Sequence, residues 1–517
     1  MRVKIKNIVL AFATMITAAQ ADALDTMNGE WPYYTGDIKG SRYSPLDQIN
    51  ADNFEDLELA WSFTTKNLGS RAEYKLEVTP LMVGGVVYAT AGTRRTAIAL
   101  DAKTGELMWM HSMREGLRAG MAPRQLSGRG LSYWSDGKGD DRVYYVTTGY
   151  RLIALNAHTG VPIESFGTDG NGILDLKIGV VQGNEVQIDL VTGEIGLHAT
   201  PTVVGDMIII GSAMKEGMTI DNYNNTKGLV RAFDVRTGKK VWQFDPIPRP
   251  GQFGNDTWLD NSWERNGNTG VWTQITVDEK NELVFLSVES PSSDFYGGHR
   301  PGDNLFGESI VAVDLNDGSY KWHYQTTPGD TWDYTSTQPI TLADLEIDGK
   351  MRKVLMQAPK NGFFFVIDRK TGSLISAEPF VKVTWASGYD LETGRPIETP
   401  NADFADGPQW VSPSPMGGHN WQPMAYSPRT NLVYIPIIET ALEYKDDKAF
   451  EFKPGHWNTG VDLDPGALAP GDYTFTLAYG YGTCFTEDDL VVHVDPVPLV
   501  GGARTDTVCV NGGASAL

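Results

Sequence analysis

The chain has 517 residues, 41% of them hydrophobic, and its 43 basic and 65 acidic side chains leave a formal charge of −22. So acidic a surface repels phosphate backbones and excludes a non-specific nucleic-acid binder. With 56 Gly, 28 Pro and 14 Trp, the composition disfavours long helices and suits short strands joined by tight turns.

Residues 1–21 carry Arg2, Lys4 and Lys6, then an apolar run from Ile8 to Ala19, and close on Ala19-Gln20-Ala21 before Asp22. This is the pattern of a cleavable secretory signal, too short for a comfortable membrane helix. No later segment approaches the ~18 uncharged apolar residues that a span needs. An exported chain without a transmembrane segment is expected.

A repeat organises the next 350 or so residues. A β-rich run ends in Asp or Asn, a tight turn closes on Gly, and a Trp often follows four residues on. The anchors are Asp101, Asn156, Asp234, Asp314 and Asp368, with Trp109, Trp242 and Trp322 behind three of them. Ahead of each lies a second strand-like run, and a sixth such run spans Leu432 to Ile438. Asp caps the turn and Gly takes positive φ, while the Trp is placed to wedge between neighbouring sheets. Trp61 reads as the end of one more such unit. Repeats of several strands at this spacing predict an all-β fold, a radial β-propeller, with about six blades evident.

The hydrolase and nucleotide motifs are absent: no Gly-x-Ser-x-Gly, no His-Glu-x-x-His, no Walker loop. What the chain carries instead is Asp330-Thr331-Trp332-Asp333-Tyr334, Ala358-Pro359-Lys360-Asn361-Gly362 and Gly417-Gly418-His419-Asn420-Trp421. Taken singly, each suits a structural turn as well as a site. In this order within this repeat, residues 32 to about 460 resemble the PQQ-dependent (pyrroloquinoline quinone) alcohol dehydrogenases, eight-bladed quinoproteins of the bacterial periplasm. Trp322 to Tyr334, Gln357 to Asp368 and His419 to Met424 look like the quinohaemoprotein branch. The stretch from Gly128 to Gly302, with Tyr296-Gly297-Gly298-His299, looks closer to membrane-glucose-dehydrogenase-like relatives.

The resemblance implies a role for each matching residue. Asp333 matches the general base that takes the proton of a substrate hydroxyl. Glu216, Glu289 and Asp333 match ligands of a Ca²⁺ ion, a cation that favours carboxylate oxygens; Glu289 falls where relatives usually place Asn. Lanthanide-using relatives carry a second Asp two residues after the base, and Thr335 stands there, which favours calcium. Trp272 matches the indole stacked on the quinone, Lys360 the cation at its ortho-quinone oxygens, and Glu77 and Arg129 polar groups at its rim. Asn420 and Trp421 match the far wall. The expected cofactors are PQQ and Ca²⁺, and the expected substrate is a small alcohol, polyol or sugar. The electron acceptor is expected to be a separate cytochrome c or membrane quinone.

Three departures accompany the resemblance. Pro123 to Arg129 holds no cysteine, where alcohol-oxidising relatives place two adjacent ones. No Cys-x-x-Cys-His occurs, so no covalent haem is expected. After about Gly460 the resemblance stops, two blades short of eight. Residues 462–517 read as an unrelated β-rich tail, immunoglobulin-like, with strands at Tyr473 to Tyr479 and Leu490 to Val494; Cys484 and Cys509 are able to pair there. The expected organisation is a signal peptide at 1–21, a quinoprotein propeller at 22–461 and the tail at 462–517. The competing expectation is a non-catalytic envelope propeller, a binding or assembly scaffold inactivated by the missing blades.

Overall fold

The computed structural model describes residues 26–182, 186–187, 191, 194–215, 226–451, 458–462, 471–481 and 484–494. The chain divides into two compact units, Met1–Val461 and Asp462–Leu517.

Five four-stranded antiparallel sheets follow one another in the first unit, each with its strands in sequence order. Blade one is Leu81–Val83, Val86–Ala91, Thr96–Asp101 and Leu107–His111. Blade two is Ser132–Ser135, Asp141–Val146, Arg151–Asn156 and Ile173–Asp175. Blade three is Thr202–Val204, Met207–Ile210, Val230–Asp234 and Lys240–Phe244. Blade four is Thr276–Asp278, Leu283–Ser287, Ser309–Asp314 and Tyr320–Gln325. Blade five is Thr341–Ile347, Lys350–Gln357, Phe363–Asp368 and Leu374–Pro379. Two strands of a sixth, Ala425–Ser427 and Leu432–Tyr434, pair after them.

Every repeat anchor read from the sequence is the last residue of a third strand. The Oδ1 of Asp101 accepts from the backbone N–H groups of Lys103 and Thr104 and from the Thr104 hydroxyl. Asn156, Asp234 and Asp368 repeat the pattern. The turn glycine then receives the aromatic ring of the preceding blade. A Cβ on Gly160 would lie 2.6 Å from the Trp109 ring, and one on Gly318 would lie 2.7 Å from Trp242. The indole N–H groups of Trp61, Trp109 and Trp242 donate to the carbonyls of Ala102, Ala157 and Leu315 in the next blade. The wedge is thus a hydrogen-bonded latch between blades. Blade two ends without a Trp, and Phe166 fills the same place over Gly238.

The cores lie between blades. Leu81, Tyr88 and Trp109 of blade one pack on Val143, Tyr145, Ile153 and Leu155 of blade two, and equivalent clusters join blades two to three and three to four. The segment 31–42 crosses the inner strands. Trp31 pairs with Met82 of blade one, and the carbonyls of Ile38, Lys39 and Ser41 accept from Val277, Leu342 and Tyr426 of blades four, five and six.

In the second unit, Gly471–Tyr481 and Cys484–Val494 form an antiparallel hairpin, which contains both predicted strands. The signal at 1–21 and Cys509, with its pairing to Cys484, fall outside the described residues.

Candidate cofactor and active site

The blades place their innermost strands around one axis, and residues just before those strands converge at one end of it. Glu77, His198, Trp272 and Trp421 each stand four residues before a first strand, and Arg129 three. Because strands one and two are antiparallel, residues just after a second strand reach the same end; Glu289 and Lys360 do so. Together with Asp333, Asp294, Thr335 and the loop from Ala122 to Gly128, they line a cavity of about 540 Å³, within the ~300–1,000 Å³ usual for small-molecule sites.

Asp333 has φ +62°, a left-handed conformation that Asp tolerates better than most residues. Its carboxylate is held from both sides. Lys360 Nζ lies 2.8 Å from Oδ2, and the Thr335 hydroxyl donates to Oδ1 at 3.1 Å. Thr335 in turn shares a 2.8 Å hydrogen bond with Ser290, which reaches Asp330 at 3.5 Å. Asp330 is fully buried and accepts from the backbone N–H groups of Trp332 and Tyr334. Burial pushes its carboxyl up to about 6, with Arg300 opposing and Asp333 adding to the rise. Behind it, burial and then Asp330 raise the Glu308 carboxyl well above the usual carboxylate range.

The opposite wall is cationic and aromatic. The Arg129 guanidinium lies 5.1 Å from the Trp272 ring and 4.6 Å from the Trp421 ring, donates to the Trp272 carbonyl and meets Glu77 at 3.4 Å. Lys75 holds the other Glu77 oxygen at 2.6 Å. His198 packs on Trp272 with ring centroids 5.6 Å apart. Burial first, then the Arg129 charge, depress its pKa well below the usual imidazole value, so the ring is neutral. The Trp272 Nε1–H is buried with no hydrogen-bond partner among the described residues.

Of the residues singled out from the sequence, Glu77, Arg129, Trp272, Glu289, Asp333, Lys360 and Trp421 line this cavity. Asn420 does not. Its side chain donates to the Met416 carbonyl and accepts from the Trp421 N–H, bracing the turn that presents the indole. Glu216 lies outside the described residues. Sequence reasoning missed Lys75, Arg124, His198 and Asp294. For His198 a signal existed: it stands before a first strand as Glu77, Trp272 and Trp421 do.

The profile of a family described as PQQ, glucose/ethanol/alcohol dehydrogenase, beta-propeller domain, matches residues 31–384. The chain belongs to this family. It is 37% identical over 450 residues to quinohemoprotein alcohol dehydrogenase ADH IIB of Pseudomonas putida, covering 84% of this chain and 60% of the relative. The solved structure of quinohemoprotein alcohol dehydrogenase ADHIIG from Pseudomonas putida HK5 superposes with a TM-score of 0.73 at 35% identity, over 86% of this chain and 63% of that one. That of the Comamonas testosteroni quinohemoprotein alcohol dehydrogenase gives 0.72 at 33%, over 92% and 67%. The chain spans about three fifths of the length of the curated relative. No helix among the described residues is long and apolar enough to cross a membrane.

Proposed function

We propose that this quinoprotein is a periplasmic dehydrogenase that oxidises the hydroxyl of an alcohol, polyol or sugar to the carbonyl. The observation that carries the reading is the convergence of Asp333, Lys360, Trp272, Arg129 and Glu77 on one cavity at the blade axis.

The cavity suits the family's cofactor in shape and charge. A flat heterocycle bearing carboxylates finds an indole face at Trp272, an indole N–H without a partner, and the cations of Arg129, Arg124, Lys75 and Lys360 along the lining. Glu289 and Asp333 offer carboxylate oxygens of the kind Ca²⁺ prefers, Glu216 is the further ligand that the family resemblance implies, and the ion would supply a Lewis acid there. Bound PQQ supplies the two-electron acceptor for the hydride equivalent of the alcohol.

This chain's own residues handle the proton and the orientation. Asp333 takes the hydroxyl proton, a step that asks for an ionised carboxylate within hydrogen-bond reach of the alcohol. Lys360 and Thr335 hold that carboxylate in its aim. The neutral His198 fixes the Trp272 plane without adding a charge beside it. Trp421 closes the far side over Arg129. A separate acceptor, a cytochrome c or a membrane quinone, would take up the electrons that the cofactor gains.

Purified protein given PQQ and Ca²⁺ is expected to reduce an artificial dye when an alcohol is added. Asp333→Asn is expected to lower turnover by roughly 10²- to 10⁴-fold while the bound quinone absorbance persists. A wild-type protein whose melting temperature ignores PQQ, and which reduces no dye across a broad alcohol panel, would overturn the reading in favour of a non-catalytic envelope scaffold.

A further inference from the structure

The roof of the cavity is the loop from Pro123 to Gly128, and a single buried side chain outside the cavity lining holds it. Arg95 is 2% exposed. Its Nε donates to the Leu126 carbonyl at 3.2 Å, and its Nη2 donates to the Arg124 carbonyl at 2.8 Å. Its Nη1 faces the carbonyls of Val146 and Thr147, at the end of a blade-two strand, and that of Leu197, next to His198. The five acceptors are all backbone oxygens, and they come from the roof, the wall and the neighbouring blade.

Two further features act on the same loop. Gly128 lies against the guanidinium so closely that a Cβ would stand 2.7 Å from Arg95 Nε. The Glu73 carboxylate accepts from the Ser127 N–H and from the Gly92 N–H, each at 2.9 Å, tying the roof to the turn that carries Arg95. Burying a guanidinium carries a heavy desolvation cost unless its donors are satisfied, and here backbone oxygens satisfy the planar fork. Burial lowers its pKa only to about 10, so the fork stays charged and keeps all its donors.

We infer that Arg95 is a positioning residue of the cofactor site, bracing the roof loop so that Arg124 and Arg129 stay aimed into the cavity and a bound anionic cofactor is retained. The retention half rests on the proposed cofactor; the brace itself does not. A lysine offers a point charge with three donors in place of a five-donor fork, so it reaches only part of the acceptor set.

The test is hydrogen exchange followed by mass spectrometry on the full chain without cofactor, comparing wild type with Arg95→Lys. Exchange in peptides covering 122–131 is expected to rise about tenfold or more, the scale of losing charged hydrogen bonds. Exchange across 151–156 of blade two is expected to stay unchanged. In protein loaded with PQQ and Ca²⁺, the rate of cofactor release on dilution is expected to rise by a similar factor. Unchanged exchange at 122–131, or equal acceleration throughout blade two, overturns the brace. Faster exchange with unchanged release overturns the link to retention. If wild type does not capture PQQ, the cofactor reading and the retention half fail together, and the exchange result still decides the brace. Should Arg95→Lys not fold, Glu73→Gln keeps the guanidinium in place and must loosen 122–131 selectively; uniform behaviour there sinks the proposal.

Discussion

Asp333 illustrates what one residue needs from its surroundings. Its left-handed φ turns the carboxylate out of the strand-entering segment, and Lys360 and Thr335 then fix both oxygens. The acids behind it, Asp330 and Glu308, are fully buried. Glu308 is the extreme case, with burial and Asp330 together raising its pKa well above the carboxylate range. An acid whose folded pKa lies above its unfolded value binds more protons folded than unfolded between those two values. Stability therefore falls as pH rises through that window, which opens near the ordinary glutamate pKa. Glu308→Gln removes this dependence. Urea denaturation across mildly acidic to neutral pH is expected to show a shallower decline for the variant; parallel curves for the two proteins would contradict a neutral Glu308.

The blade is held at the element scale by the ring-on-glycine latch. The indole N–H of Trp242 donates to Leu315 at 2.9 Å, and its ring covers Gly318, whose φ is +70°. Both halves of the latch are specific. Trp242→Ala opens a cavity between blades three and four and is expected to destabilise by ~3–5 kcal/mol. Gly318→Ala meets both the ring and the positive φ, and is expected to lower the melting temperature as well. Trp410→Ala, at a position 63% exposed, is expected to stay within ~0.5 kcal/mol of wild type. Thermal unfolding of the three variants checks all of this at once; a Trp410→Ala loss equal to that of Trp242→Ala would rule out the latch as the source.

At the scale of the whole molecule, the blades are stitched by a segment far from them in sequence. Residues 31–42 bond to blades one, four, five and six, and Gly40 sits so close to blade five that a Cβ would stand 2.2 Å from the Ile340 carbonyl at φ +77°. Gly40→Ala is expected to destabilise the first unit, by at least the ~1–3 kcal/mol of an overpacked site. The expected readout is a lower melting temperature and faster proteolysis; wild-type stability would show the stitch to be dispensable. Leu432 and Tyr434 of the sixth sheet are about half exposed, in contrast to the sealed faces of blade four, where every residue of Leu283–Ser287 is buried.

By itself the sequence determined the repeat. The anchor Asp or Asn, the turn Gly and the Trp behind it are local devices, and local chemistry survives translation from sequence to strand ends without knowledge of neighbours. It also pointed to seven residues of the cavity lining, because Asp333, Lys360 and Trp272 sit in phrases that resemble one family. Tertiary structure alone decided the rest. Arg95 reads as an ordinary turn cation until its five carbonyl partners, up to 102 residues away, are brought together. His198 looks like one of eight histidines until it stacks on Trp272. Asn420 shares the motif of Trp421 yet turns to its own backbone. Each of these depends on which segments the blades carry to the same end of the axis, a geometry set by packing between sheets rather than by any residue's own preference.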